Sequence, residues 1–204
     1  KLSKSLSWLL RHGAEKEGFK YLPGGFLYVD EVLKKDQFKN YTEDDIKHVV
    51  AVNEKNRFAI KDDRESGRLL IRANQGHSIQ VDDLELTLVD NADDYPTVVH
   101  GTNLTAWSSI KTQGLSRRNR NHIHFAIGEP GENGVISGMR QSSEVVIYLN
   151  LQKVLQDNIK VYKSVNNVIL SPGDQHGFIP SSYFTQVLNR KTSRFLLLFC
   201  HYTQ

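Results

Sequence analysis

The stretch Leu69-Leu70-Ile71-Arg72-Ala73-Asn74-Gln75-Gly76-His77-Ser78 changes from an apolar to a polar pattern. Its three apolar residues in a row indicate a buried strand. The guanidinium, amides and imidazole that follow are donors suited to carboxylate or phosphate, and the glycine lets the backbone approach a ligand closely. The stretch therefore predicts either an anion site at the end of a strand or a polar turn that closes a hairpin.

The residues before this stretch predict its partner strand. Phe58-Ala59-Ile60 is a second short apolar run, and the charged turn from Lys61 to Gly67 separates it from Leu69. Two such runs on either side of a polar turn indicate a β-hairpin. The polar residues from Arg72 onward therefore lie at the end of the second strand of this hairpin.

Three helices are predicted upstream of the hairpin. The first has an apolar face and ends near Gly13, the second is capped by Asp30 and runs through Leu33, and the third begins at Thr42, where acids follow a capping residue. The apolar face of the first helix consists of Leu2, Leu6, Leu9 and Leu10. Three helices and a hairpin are the order of a winged-helix module, whose near-zero net charge favours a scaffold that holds RNA over a reader of duplex DNA.

The remainder of the chain predicts a second domain. An acidic segment from Ile79 to Tyr95 contains one strand around Leu84 to Leu88 and then a linker. We place the boundary near residue 92, which gives domains 1–92 and 93–204. The second half consists mainly of short strands with a few helices, so the fold class is α+β. One helix of this half is predicted to be capped by Asn103 or Thr105, and a second is predicted to span Leu151 to Gln156. Its strands are predicted at Thr97 to Thr102, His122 to Phe125, Val145 to Leu149, Val161-Tyr162, Val168 to Leu170 and Phe195 to Phe199.

Composition limits the class of protein. Lysine and arginine number 26 against 23 acids, a net charge of +3, so any nucleic-acid surface must be local. The single cysteine, Cys200, excludes an internal disulfide framework. No apolar run is long enough to span a bilayer and the amino end has no signal-peptide pattern, so we expect a soluble intracellular protein, cytoplasmic or nuclear, without a membrane partner.

The polar residues at element ends suit a polyanionic ligand, because cations stabilise bound phosphate and the charge that develops on it during transfer. No Walker loop, dinucleotide-binding glycine motif or nucleophile elbow is present. Donors at these ends are Arg11, His12, Arg72, Asn74, Gln75, His77, His100, Thr102, Arg120, His122 and Arg140.

Some of these donors have simpler interpretations. Arg11-His12-Gly13, taken alone, is typical of a helix end, where cations suit the dipole and glycine follows the last turn. Arg117 to Arg120 can be a solvated basic loop. His122 and His124 share one face of a strand and, with His100 and His176, offer a weak metal-site alternative, but no acid or thiol completes a ligand set, so we expect no metal.

Five ordered motifs together resemble the tRNA 2′-phosphotransferase family, in its eukaryotic, fungal-like form. They are Ser3-Lys4 with Leu10 to Gly13, Ile71 to Ser78, Val99 to Thr102, Arg120 to His124, and Ile136 to Arg140. The resemblance covers nearly the whole chain in order. It implies an N-terminal winged-helix lobe followed by an ADP-ribosyltransferase-like mixed α/β lobe, with NAD as co-substrate and no metal.

The resemblance also implies a reaction. An internal RNA 2′-phosphate left by tRNA ligation attacks the nicotinamide ribose of NAD and expels nicotinamide, which gives a 2′-phospho-ADP-ribosylated RNA. The ADP-ribose 2″-hydroxyl then attacks the phosphate. The products are RNA with a free 2′-hydroxyl and ADP-ribose 1″,2″-cyclic phosphate. No catalytic glutamate stands in Asn167 to Leu170, as suits a phosphate nucleophile that is already anionic.

The family's catalytic residues match Arg11, His12, Arg72 and Arg140, which replaces the helix-end interpretation of the first two. We expect the RNA phosphate to contact a set of donors that consists of Lys4, Arg11, His12, Arg72, Gln75, His77 and Arg120. We expect NAD to contact His100, Gly101, Thr102, Gly114, Leu115, His122 and Arg140. We further expect a monomer.

Two other functions stay open at this point. The first is an ADP-ribosyltransferase that modifies terminal phosphates of RNA or DNA and stops after the first step. The second is a winged-helix RNA-binding module without catalysis. The products formed from RNA and NAD distinguish the three.

Overall fold

The computed structural model describes residues 1–132, 135 and 138–198. The chain divides into two compact units, Lys1–Glu85 and Leu86–Gln204. Within the described residues the fold is mixed α/β, with five α-helices and short antiparallel sheets. None of the described helices has the length and apolar character that crossing a membrane requires.

The first unit begins with the predicted helix. Its elements are α1 (Leu2–Trp8), a π-helical turn (Leu9–Gly13), α2 (Val29–Leu33) and α3 (Glu43–Ala51). Leu6, Leu9 and Leu10 are fully buried, which confirms the apolar face. Thr42 caps α3 as predicted: its hydroxyl accepts from the Asp45 backbone, and the Asp45 carboxylate accepts from the Thr42 backbone in return.

The first unit's sheet contains the predicted hairpin. Its strands are β1 (Leu27–Tyr28), β2 (Phe58–Asp62) and β3 (Leu69–Ala73), in the order β1-β3-β2. Ile71 lies opposite Leu27 on one side and Ile60 on the other. Every residue of β3 is buried because the strand is central in the sheet and packs against the helices. Arg72 is therefore carried into the interior.

One predicted cap is wrong. Tyr28 occupies the position before α2, with no side-chain cap, and Asp30 lies within the first turn. The Asp30 carboxylate instead pairs with the Arg68 guanidinium at 2.7 Å. Because β1 passes directly into α2, no loop precedes the helix in which an aspartate could turn back onto the backbone.

The second unit contains the remaining helices and strands. They are β4 (Leu86–Leu88), β5 (Val99–Thr102), α4 (Leu104–Gln113), β6 (Leu115–Ser116), β7 (Ile123–Phe125), β8 (Val145–Leu149), α5 (Leu151–Gln156), β9 (Tyr162–Ser164), β10 (Ile169–Ser171), β11 (Phe178–Ile179), β12 (Phe184–Asn189) and β13 (Arg194–Leu198). Asn103, one of two predicted candidates, caps α4 by accepting from the Ala106 backbone at 2.7 Å. Short 3-10 turns cover Ala92–Asp94 and Ser181–Tyr183.

These strands form two four-stranded antiparallel sheets, ordered β4-β9-β10-β7 and β13-β12-β8-β5, and a two-stranded sheet of β11 and β6. Apolar side chains such as Phe125, Ile147, Ile169 and Val187 make the core of the unit. Since β4 pairs with β9, the second unit begins at Leu86, ahead of the predicted boundary near residue 92.

Three strands of the second unit were not predicted. β12 lies in the interior of its sheet, yet its sequence Phe-Thr-Gln-Val-Leu-Asn does not alternate strictly. β6 and β11 are two residues long each, too short for a periodic pattern. Cys200, Phe199 at the end of the last predicted strand, and Ile136-Ser137 of the fifth motif lie outside the described residues.

Candidate active site

Arg72 is a buried cation at the centre of the first unit's sheet. Its side chain is only 4% exposed, and the guanidinium carbon lies 4.8 Å from the centre of the Phe26 ring. Nη1 donates to the Gly24 carbonyl at 3.4 Å, and Nη2 donates to the Glu85 carboxylate. These partners offset part of the cost of burying a charge. Nε is buried and has no hydrogen-bond partner among the described residues.

Arg11 and His12 lie on the π-helical turn, a geometry often found at functional sites. Ser78 binds this turn from the end of the donor-rich stretch: its backbone N–H donates to the Arg11 carbonyl at 3.0 Å, and its hydroxyl lies 2.9 Å from His12 Nδ1. Gly76 has φ +90°, and a Cβ there would lie 3.4 Å from Arg11 Nε. The stretch after β3 therefore lies against the Arg11 side chain, and the positive φ of Gly76 accounts for the glycine.

The hydroxyl of Ser78 also orients the His12 ring. It lies 2.9 Å from His12 Nδ1 and 3.4 Å from the Arg11 carbonyl. The turn and the stretch after β3 thus bring the predicted catalytic residues of the first unit into one region.

Gly13 does not end the helix in the manner of a capping glycine. The backbone continues in the right-handed helical region at Ala14, and Gly13 itself has no positive φ. A Cβ on Gly13 would lie 2.5 Å from the Trp8 ring. The packing of Trp8 against the turn, and not a left-handed cap, accounts for this glycine.

The other predicted phosphate ligands of the first unit differ in burial. Gln75 and His77 are buried, and the His77 ring lies edge-on to Tyr21 at 6.2 Å between centres. Lys4 is exposed on α1. Gln75 and His77 lie on the stretch that follows β3, whereas Lys4 lies on α1, which leads into the turn that carries Arg11 and His12.

In the second unit, His100 on β5 is held in one tautomer. Its Nδ1 lies 2.8 Å from the carbonyl of His124 and must donate, so Nε2 is an acceptor in the neutral ring. Burial lowers the pKa of His100, although its hydrogen bond to that carbonyl acts in the opposite direction. The Phe125 ring packs edge-on at 5.9 Å. His100 is thus a neutral, oriented acceptor at physiological pH.

Gly101 is required by close packing. A Cβ there would lie 2.5 Å from Ser143 Oγ and closer still to Met139 Cγ. The next residue, Thr102, accepts from the Glu144 backbone at 2.8 Å. Gly138 has φ +105° and leaves no room for a Cβ beside the Phe125 carbonyl. The segment before β8 is consequently packed against β5 and the end of β7.

The charge of Arg140 acts on Arg120 in the second unit. The pKa of Arg120 is lowered by desolvation and then by the positive charge of Arg140. No carboxylate in the described ranges forms an ion pair with either guanidinium. The pKa of His122 is lowered by burial and by Arg117, and its ring packs edge-on to Tyr162. This region of the second unit is therefore electropositive, as a site for an anion must be.

Gly114 and Leu115 have structural roles. Gly114 has φ +85° and ends α4, where a Cβ would lie 2.5 Å from the Ile179 carbonyl. Leu115 pairs with Ile179 of β11 and is buried in the apolar core. The Leu115 side chain therefore faces the core, which leaves only its backbone for a ligand.

Glu85 was missed by the sequence analysis as part of this region. It stands in an acidic segment whose other carboxylates give no reason to single it out. The Arg72 contact is visible only once the chain has folded. As for metals, the described residues contain no group of three or more His, Cys, Asp or Glu side chains that could hold one.

Comparison with known proteins gives a consistent result. The family model described as RNA 2′-phosphotransferase, Tpt1 / KptA family, matches residues 1–173. tRNA 2′-phosphotransferase 1 of Danio rerio is 49% identical over 193 residues, which cover 94% of this chain and 86% of that protein. The human protein of the same name is 43% identical, over 95% of this chain and 77% of its own length. tRNA 2′-phosphotransferase of Saccharomyces cerevisiae is 40% identical, over 83% of this chain and 77% of its own.

The matched residues include the motifs that carry Arg11, His12, Arg72, His100 and Arg140. The family match covers well over half of the chain, and animal and fungal relatives align over most of it. The chain therefore belongs to the RNA 2′-phosphotransferase, Tpt1 / KptA family.

Proposed function

We propose that this protein transfers an internal 2′-phosphate of ligated tRNA to NAD, by way of a 2′-phospho-ADP-ribosylated RNA, and releases 2′-hydroxyl RNA, ADP-ribose 1″,2″-cyclic phosphate and nicotinamide. The names of its relatives support the phosphate transfer. The observation that carries the proposal is the arrangement of Arg11, His12 and Arg72 around the end of β3, which suits a phosphate ligand.

We infer that the first unit is a winged-helix lobe that binds the RNA phosphate and that the second is an ADP-ribosyltransferase-like lobe that binds NAD. The order of α1, α2 and α3 before the β2-β3 hairpin supports the first assignment. The pair of four-stranded antiparallel sheets and the oriented His100 support the second.

The arginines of the first unit bind the substrate phosphate and stabilise its negative charge. The substrate phosphate is already an anion, so the first step needs positioning and electrostatic stabilisation more than a base. Arg72 is oriented by Phe26 and Gly24, so the guanidinium itself needs little reorganisation when phosphate arrives. Arg11 lies against the same stretch of chain and supplies a second guanidinium.

His12 donates the proton that the second step requires. When the bond between phosphorus and the RNA 2′-oxygen breaks, that oxygen must gain a proton. An arginine cannot donate one readily because its pKa is very high, whereas an imidazole exchanges protons near neutral pH. The Ser78 hydroxyl, 2.9 Å from Nδ1, orients the ring that donates this proton.

The second unit fits NAD through three features. Gly101 offers backbone without a side chain, His100 Nε2 is an oriented acceptor, and Arg140, which pairs with no described carboxylate, supplies positive charge for a diphosphate. When bound, NAD supplies the electrophilic ribose carbon and the nicotinamide leaving group. The role of this unit's residues is to bind and orient that molecule.

The experiment uses a short RNA with one internal 2′-phosphate, incubated with protein with and without NAD. We expect loss of the 2′-phosphate only with NAD, together with release of nicotinamide and ADP-ribose cyclic phosphate, and unchanged turnover in chelator. Turnover without NAD, or its abolition by chelator, would contradict the proposal.

A matched RNA with a terminal phosphate and no 2′-phosphate serves as the comparison substrate. If only this RNA is ADP-ribosylated and the reaction stops there, the protein is a terminal-phosphate ADP-ribosyltransferase. If nicotinamide is released with neither RNA, although both are bound, the chain is a binding module.

A further inference from the structure

The ion pair between Arg72 and Glu85 is unequal in its exposure to solvent. The Arg72 side chain is 4% exposed, and the Glu85 side chain is 67% exposed. A buried guanidinium loses much of its hydration and needs an anionic partner, whereas an exposed carboxylate can return to water at little cost. The pair can therefore open by a movement of Glu85 alone.

The guanidinium has a donor that Glu85 does not use. Nη2 donates to the Glu85 carboxylate, while Nε, also buried, has no partner among the residues described. Phosphate and carboxylate groups typically take two parallel N–H donors from one edge of an arginine. The edge formed by Nε and Nη2 is thus only half occupied, and a phosphate that took both donors would displace Glu85 from Nη2.

The segment that ends at Glu85 is attached across the turn that precedes β1. The Gly24 backbone N–H donates to the Asp82 carbonyl at 2.9 Å. Val81 packs so closely on Gly25 that a Cβ there would lie 2.9 Å from its methyl group. These contacts hold the backbone before Glu85 in place, so that the carboxylate stays within reach of Arg72 whether or not it is bound there.

We propose that Glu85 is the resident ligand of Arg72 in the free enzyme and that the RNA 2′-phosphate binds by displacing it. This inference rests on the proposed function, because it takes the 2′-phosphate as the ligand of Arg72. Glu85 keeps the buried guanidinium neutralised and oriented while the site is empty. It also returns to Nη2 when the phosphate has been transferred, and so favours release of the RNA.

The test measures binding without NAD, so that no reaction occurs. Two fluorescent RNAs are used that differ only by one internal 2′-phosphate, and their affinities are compared for the wild type and for Glu85→Gln. Glutamine keeps the shape and an acceptor oxygen for Nη2 but removes the competing charge. We expect Glu85→Gln to bind the phosphorylated RNA about threefold to fivefold more tightly and the unmodified RNA as the wild type does.

Glu54→Gln is the matched control. Glu54 is an exposed carboxylate of the same unit and makes no ion pair with any described residue. It loses the same charge, so it reports any general gain in attraction for RNA. We expect Glu54→Gln to leave both affinities unchanged. Inorganic phosphate is a second probe, and it should displace the phosphorylated RNA at a lower concentration from Glu85→Gln than from the wild type.

Two failures are distinguishable. If the wild type binds both RNAs equally, the proposed phosphate site is wrong and the inference falls with it. If the wild type prefers the phosphorylated RNA but Glu85→Gln binds it no more tightly, or more weakly, the proposed function stands and displacement of Glu85 is wrong. Should Glu85→Gln unfold, Glu85→Asp provides the test, because its shorter side chain weakens the pair and should tighten phosphate binding by a smaller factor.

Discussion

The two units prepare positive charge in different ways. In the first, Arg72 is almost fully buried and has a carboxylate, a carbonyl and an aromatic ring around it. In the second, Arg120 is affected by the charge of Arg140, and no described carboxylate neutralises either. A buried guanidinium requires a partner even while the site is empty, whereas charges nearer to water can be left for the ligand to neutralise. The difference predicts that the first unit is preorganised and that the second unit responds to ligand and salt.

The largest effect is expected from Arg72→Ala. Loss of a preorganised donor that binds the phosphate in both steps should lower the single-turnover rate by about 100-fold to 1000-fold. Arg72→Lys should recover only part of this rate, because the planar fork is lost. The control is Arg68→Ala, which removes a guanidinium paired with Asp30 and Glu31 in the same unit. Equal losses in Arg72→Ala and Arg68→Ala would show that charge alone, and not placement, matters.

His12→Ala should separate the two chemical steps. Without its proton donor the second step should slow by about 100-fold, while the first changes less, so the 2′-phospho-ADP-ribosylated RNA should accumulate. A gel time course that resolves substrate, intermediate and product measures both steps. His48→Ala, an exposed histidine of α3, is the control and should behave as the wild type. A parallel loss of both steps with no intermediate would mean that His12 only binds the phosphate.

Arg120→Ala tests the second unit's unneutralised charge. If Arg120 contacts an RNA phosphate, its loss should weaken RNA binding modestly and lower the salt slope of the binding constant by about 1. Arg118→Ala, two residues away in the same loop, is the matched control. Wild-type salt dependence in Arg120→Ala would identify the loop as a solvated basic surface.

Much of the fold could be predicted because its signals are local. The apolar spacing of Leu6, Leu9 and Leu10 predicted the first helix, and capping chemistry at Thr42 predicted α3. The Asp30 cap was wrong because α2 follows β1 directly and begins at Val29, so Asp30 lies within its first turn. The interior strand β12 was missed because its place between β13 and β8 comes from pairing with those strands, and its own sequence does not alternate strictly.

The candidate site likewise contains residues that local sequence predicts and contacts that only the folded chain shows. Arg72 and Gly76 were predictable from a buried strand that ends in donors, and the motifs identified Arg11 and His12 only by resemblance. The contact of Arg72 with Glu85 and the packing of Met139 on Gly101 depend on tertiary structure, and no periodicity reports them.

The smallest expected effect concerns pH and the second unit's histidines. Burial lowers the pKa of both His100 and His122 in the folded protein. An unfolded histidine titrates at about 6.5, so below that pH the unfolded chain binds protons that the folded chain does not. Stability should therefore be unaffected by these groups above about pH 6.5 and should decline as the pH falls from there toward their lower folded values.

Thermal unfolding measured between about pH 7.5 and pH 5.5 tests this expectation, because aspartates and glutamates titrate mainly below that window. In His100→Gln the decline should be shallower, since one of the two groups that take up protons on unfolding is gone. The comparison uses the slope against pH and not the absolute stability, because the variant also changes the hydrogen bond to the His124 carbonyl. If the stability of His100→Gln and that of the wild type decline in parallel with falling pH, His100 is not buried as a neutral acceptor. The contrast between the two units then has no electrostatic basis in the second unit.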